Sequence, residues 1–150
     1  MDKKFSFDRV KADFERARQE LPILLGNQAK NFFAGSWQIQ GFEDDGIQSW
    51  AEPCRRIPGT RAYKYPKRRD LGRRTRATLV KSGRLRRAVQ DSVREVTFER
   101  VRLVVDVPYA SAHNEGDGHL PQRKFMGDSA TLRNMQRNMI SKTIDKLWRG

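Results

Sequence analysis

Leu79-Val80-Lys81-Ser82-Gly83-Arg84-Leu85-Arg86-Arg87-Ala88-Val89 divides this chain into two differently patterned halves. Upstream the signals are helix and turn-rich loop; downstream they are hairpin, loop and helix. Ser82-Gly83 interrupts any element entering the stretch, and Leu79, Leu85, Ala88 and Val89 are the side chains expected to face inward. Beyond it, Val93 and Val96 continue a β-branched, extended pattern. Val101, Leu103, Val105 and Val107 then alternate with Arg102, Val104 and Asp106, as on a strand with one buried face. The pattern predicts an antiparallel hairpin of about 86–95 and 99–107, closed by Pro108.

Upstream, Phe7, Val10, Phe14, Ala17, Leu21, Leu24 and Leu25 recur at alternating steps of three and four, the apolar stripe of an amphipathic helix. Ser6 suits its N-cap, and Asp8 suits the positive end of its dipole. Pro22 lacks an N–H and clashes one turn back, so it should kink or end the helix near Glu20 or Leu21. Apolar residues resume through Ile23, Leu24, Leu25, Ala29, Phe32 and Phe33, with Gly35 and Ser36 as the expected stop. The prediction is one kinked helix, or two in series, over about 7–33.

Glycines and prolines punctuate 34–78 too often for a long element. Trp37, Phe42 and Trp50 read as anchors pinning this loop to the core, or alternatively as a platform for stacking nucleobases. Asp44-Asp45-Gly46 is a turn signal. The net charge of +13 arises entirely in residues 55–87, with fourteen basic side chains against Asp70, while the flanking segments nearly cancel. Such concentration is a local electrostatic device rather than a generally basic surface. Like-charge repulsion and scarce apolar groups predict mobility over about 55–76. Three readings stay open for the stretch: contact with nucleic-acid phosphates, contact with an acidic protein surface, or a solvated loop.

Downstream, Asp128 or Ser129 caps a helix over 129–148. Its apolar face is Leu132, Met135, Met139, Ile140, Ile144, Leu147 and Trp148, with Met135 and Met139 read as core filling. The fold class is α+β, a single domain over 1–150. Its parts are an N-terminal kinked helix, a long basic loop, an antiparallel β-hairpin or small sheet, and a C-terminal helix.

Signals for catalysis are thin. His113, Glu115, Asp117 and His119 lie close in sequence and could suit a metal or an acid–base pair. No Cys-x-x-Cys, His-Glu-x-x-His, phosphate-cradling Gly-Lys-Ser/Thr loop or nucleophile elbow accompanies them. Cys54, the single cysteine, cannot form an internal disulfide. No run approaches the roughly 20 apolar residues of a membrane span, and the N-terminal residues lack an apolar signal core. A non-enzymatic protein made in the cytoplasm is the expectation.

The stretch 79–89 resembles the "Leu-x-x-Ser/Thr-Gly-Arg-Leu-Arg-x-Ser/Ala-Ile/Val" signature of phage virion morphogenesis proteins, the Mu-like tail-completion and head–tail joining group. In the same order, Phe33 to Phe42 with Trp50 resembles that family's aromatic loop. Val107-Pro108-Tyr109-Ala110 with His113-Asn114-Glu115-Gly116 is similar to its "Tyr-Ala-x-x-His-x-x-Gly" segment. Pro121-Gln122-Arg123-Lys124-Phe125-Met126-Gly127 is similar to its "Pro-x-Arg-x-Phe-Leu-Gly" segment. The resemblance spans most of 5–148; Lys124 and Met126 depart from its pattern.

The resemblance implies a structural subunit without a cofactor, completing a tail or neck so that a DNA-filled head can join it. Implied partners are other phage neck and tail proteins, further copies of the chain in a ring, and packaged DNA, with no membrane. The implied location is the virion, at the head–tail junction or tail end, after assembly in the host cytoplasm. Arg68, Arg69, Arg73, Arg74, Arg76, Arg84, Arg86 and Arg87 are the candidate contacts to partner subunits or DNA. Ser82-Gly83 would bend the chain before the hairpin, Leu85 would point inward, and Tyr109 and Phe125 would pack loops against the sheet. The alternative is a basic nucleic-acid-binding protein using 55–87 as a phosphate-contacting arm, whose affinity would fall steeply with salt.

Overall fold

The amphipathic stripe at the N-terminus forms one helix, α1 (Phe7–Ile39), 33 residues long and roughly 50 Å at a rise of about 1.5 Å per residue. The computed structural model describes residues 6–65 and 71–149. Ser6 caps α1 by accepting the Arg9 N–H. The expected boundary at Glu20 or Leu21 does not occur, nor do Gly35 and Ser36 stop the helix. Pro22 is buried inside it, beside Val96, Thr97, Phe98 and Glu99, so packing offsets the hydrogen bond its ring removes. Ser36 is buried, and its hydroxyl donates to the Phe125 carbonyl at 3.4 Å. That contact and the burial of Trp37 draw the helix past Gly35. The stop is Gln40, in the left-handed region at φ 50°, whose N–H donates to the Ser36 carbonyl.

Gln40 then ties three segments together. Its backbone carbonyl accepts the Trp50 N–H, its side-chain oxygen accepts the Thr78 N–H, and its side-chain nitrogen donates to the Trp37 carbonyl. The next residues form a small hairpin, β1 (Gly41–Glu43) with β2 (Ile47–Ser49), around the Asp44-Asp45-Gly46 turn. Trp37, Phe42 and Trp50 are all buried. Trp50 meets Trp37 edge to face at 5.6 Å between centroids and donates its indole N–H to the Lys124 carbonyl.

The basic segment forms short turns: a 3₁₀ turn at Cys54–Arg56, α2 (Arg61–Lys64) and a 3₁₀ turn at Leu71–Arg73. These short turns are the form that the expected long basic loop takes at its described positions. Residues 66–70, which hold Arg68 and Arg69, lie outside the described residues.

The expected first strand over 86–95 is corrected at its start. Residues Arg84–Gln90 form helix α3, and the hairpin is shorter, with β3 (Val93–Val96) antiparallel to β4 (Val101–Leu103). Arg, Leu, Ala and Gln in 84–90 favour helix. Leu85 and Val89, one turn apart, put a single face into the core at 3% and 0% exposure. Gly83, at φ 73°, makes the bend expected of Ser82-Gly83, but the bend leads into α3 rather than into the hairpin.

After α4 (Ala110–Glu115) comes the C-terminal helix α5 (Ala130–Arg149). Ser129 caps it, accepting the Leu132 N–H while its hydroxyl donates to the Glu43 carbonyl. Asp44 accepts the Ala130 N–H, and the Asp45 N–H donates to the Thr131 hydroxyl, so the β1–β2 turn holds the start of α5. From there α5 runs back along α1, and Met135 and Met139 meet Leu24 and Gln28 across a shallow groove. Of the face predicted for α5, Leu132 is buried, but Met135, Ile144 and Trp148 are exposed. Met135 is therefore not core filling. The fold is α+β: two small antiparallel hairpins, a long N-terminal helix and a C-terminal helix. No helix among the described residues is long and apolar enough to cross a membrane.

Candidate functional site

Three stretches of chain, spanning Pro53 to Arg123, meet in one cleft of about 500 Å³. One wall comes from the basic segment, with Pro53, Arg55, Arg73, Arg76 and Thr78. The Leu79–Leu85 turn supplies a second wall, and Tyr109, His113 and Arg123 supply the third.

Arg55 and Arg56 hold the first wall in place. The Arg55 guanidinium donates to the backbone carbonyls of Arg73, Arg76 and Ala77 at 2.7–3.1 Å. Arg56 pairs with Glu52 and reaches the Arg76 carbonyl and the Thr78 hydroxyl. These bonds fold 71–78 back onto 54–56, converting unpaired carbonyls into acceptors for charged donors. Arg123, 7% exposed, is anchored from the other side. Its N–H donates to the His113 carbonyl, and its Nε–H to the Ala51 carbonyl at 3.0 Å. The rest of its guanidinium fork finds no acceptor among the described residues.

Among the described residues, no Asp or Glu lines the cleft. Burial, then repulsion from Arg56, Arg76, Arg73 and Arg123, holds the Arg55 guanidinium below the usual arginine range. Burial lowers Arg123 as well, with Cys54 and Glu52 acting the other way. His113 is pushed below the ordinary histidine range by burial and then by Arg123, and its Nδ1 is buried without a hydrogen-bond partner. Several like charges converge here with no acid among the described lining residues, which makes the cleft a concave region of positive potential.

The predicted contact residues divide. Arg73, Arg76 and Arg84 reach the cleft, together with Ser82, Gly83 and Leu85 of the motif turn. Arg74 lies over the Tyr63 ring at 4.1 Å instead. Arg86 and Arg87 sit on the exposed side of α3, where Arg87 donates to the Ser82 carbonyl. Tyr109 does not pack against a sheet: it is 41% exposed, edge-on to His113 at 6.0 Å, and forms part of the cleft wall. Phe125 is buried in the core cluster that also holds Phe42 of β1, with its ring 5.4 Å from that of Trp37 of α1.

The His113, Glu115, Asp117 and His119 loop is divided between other tasks. His113 lies in α4, and Asp117 bridges to Leu120 in a turn. The neighbouring Asn114 side chain accepts the Phe125 and Met126 N–H groups. No group of three or more His, Cys, Asp or Glu among the described residues could hold a metal ion. Sequence reasoning missed Arg55, Lys81 and Arg123 as cleft residues. Arg123 stood within a quoted motif, but nothing in its neighbours signals that an arginine there is buried.

No protein-family model, curated protein or solved structure matches the chain.

Proposed function

We propose that this chain is a structural subunit of phage virion assembly, of the virion-morphogenesis kind its motifs resemble, completing a tail or neck so that head and tail can join. The observation that carries this reading is the apolar surface exposed on its two long helices. Phe14 is 49% exposed, Ile144 46% and Trp148 71%, in a chain whose mean hydropathy is −0.83. Large exposed apolar side chains suit a surface that another subunit covers.

The edges of the α1 stripe suit a further copy of α1. Lys11 and Arg18, seven apart, flank one edge, and Asp13 and Glu20, seven apart, flank the other. In a parallel pair, Asp13 of one helix would face Arg18 of its neighbour, as acidic and basic flanks do in parallel coiled coils. Antiparallel pairing would set like charges together. Rotational symmetry likewise makes neighbouring subunits of a ring point the same way along its axis.

A second reading is favoured by the exposed Arg74, Arg84, Arg86 and Arg87: a nucleic-acid-binding protein whose contacts are to phosphates. Electron microscopy of particles produced when the gene is silenced in its parent phage or prophage separates the two. Filled heads with separate, normal-length or slightly overlong tails support the assembly subunit. Intact virions overturn it. Charge reversal of Arg73 and Arg74 that abolishes salt-sensitive DNA binding and leaves assembly intact moves the nucleic-acid reading to first place.

A further inference from the structure

We infer that the cleft is a binding site for a compact phosphate polyanion, gripped by Arg73, Lys81, Arg84 and Arg123. The side chains of Arg73, Lys81 and Arg84 donate to no acceptor among the described residues, and all three line the cavity with Arg123. Arg123 is the most deeply set of the four, 7% exposed as a residue, with its Nε–H held by the Ala51 carbonyl and the rest of its fork bonded to no acceptor among the described residues. Its anchored Nε–H fixes the fork, and a fixed fork matches the oxygens of a phosphate in two-point contacts.

Phosphate fits better than carboxylate. Four cations converge on one volume, with no acid among the described lining residues, more positive charge than a carboxylate side chain neutralises. A phosphate group brings up to about two charges and three acceptor oxygens on one centre. The size is that of a small-ligand pocket, about 300–1,000 Å³, and the site is recessed. A duplex backbone, by contrast, is met by exposed cations spread along its length. The Ser82 and Thr78 hydroxyls lie on or in the walls as further donors. His113 lies against Arg123 with Nδ1 unpartnered, so an anion in the cleft would favour its protonated, donating form. The inference does not depend on the assembly role.

Calorimetric titration of the full chain with inorganic pyrophosphate tests it. Saturable one-to-one binding is expected, weakened about tenfold by Arg84→Gln and again by Lys81→Gln, for the loss of one charge-assisted contact each. Both side chains are exposed enough for the variants to fold, and Arg123→Gln should weaken binding at least as much where it remains folded. Arg86→Gln removes the same charge from the same helix but outside the cleft and should leave affinity within about twofold. Equal losses from Arg84→Gln and Arg86→Gln, or the lack of saturation, would overturn the site. Preference for a glutamate-rich peptide over pyrophosphate would overturn its phosphate class. A nucleoside triphosphate binding more tightly than a 5′-phosphorylated oligonucleotide identifies a free nucleotide as the source, and the reverse identifies a strand end; either supports the site.

Discussion

At single residues, the contrast between glycines is sharp. A Cβ on Gly41 would stand 2.6 Å from the Gln48 carbonyl oxygen of the paired strand, whereas one on Gly35 meets nothing within 4 Å. Gly41→Ala should destabilise by about 1–3 kcal/mol through overpacking against backbone. Gly35→Ala, in the interior of α1, should stabilise by about 0.5–1 kcal/mol through helix propensity. Denaturant midpoints of the two variants check both signs. His113 sets a pH dependence. Its folded pKa is lowered from 6.5 by burial and then by Arg123, so below that pH the unfolded chain binds the proton more readily than the folded one. The stability contributed by neutral His113 is complete above pH 6.5 and is lost as pH falls from there toward the folded value. Melting temperatures between pH 7 and 5 should therefore fall less steeply in His113→Asn than in the native chain. None of this was legible in the residues themselves. His113 looks like a ligand candidate beside Glu115 and His119, and only packing makes it a buried neutral wall residue.

At the level of elements, the helical period of the two long helices was readable even though Phe14, Met135 and Ile144 of their apolar stripes stay exposed. α1 and α5 stand where their stripes predict, and Ser6 and Ser129 cap them as Ser residues at such positions do. Ser129→Ala should cost about 1 kcal/mol or somewhat more, because the same hydroxyl also ties Glu43 of β1 to α5. Hydrogen exchange in the first turn of α5 should rise in that variant, and a protected first turn would show that Asp44 suffices as cap. The errors fall on short elements. Residues 84–90 offer Leu85, Ala88 and Val89 to either period, and seven residues are too few to separate them. Docking of Leu85 and Val89 into the core decides for helix, so Leu85→Ala should cost about 2–5 kcal/mol. Pro22 and Gly35 are breakers by local rules, and each is overruled by burial of its own side chain or its neighbour's.

Across the whole molecule, two kinds of surface stand open to solvent: the apolar flanks of α1 and α5, and the basic cleft. On the assembly reading proposed above, Phe14→Ser with Trp148→Ser should leave monomer stability within about 0.5 kcal/mol, as exposed substitutions do, while reducing self-association measured by analytical ultracentrifugation. Asp13→Lys should weaken the same association, and adding Arg18→Asp should restore it; failure of the double variant would argue against parallel pairing of α1. The chain's residue pattern alone was enough for the α+β class, both long helices, the Asp44-Asp45-Gly46 turn and the concentration of charge in 55–87. Those features depend on neighbours within a few positions. The cleft does not. It joins Arg55, Lys81, Arg84 and Arg123 from segments up to 68 positions apart, and whether an arginine is stapled to carbonyls, like Arg55, or left facing a cavity, like Arg84, depends on burial and on acceptors supplied by distant backbone. Local sequence encodes how a segment folds and supplies near ion pairs such as Arg56 with Glu52, while long-range packing decides which charges of the cleft are tied to distant carbonyls and which face open space.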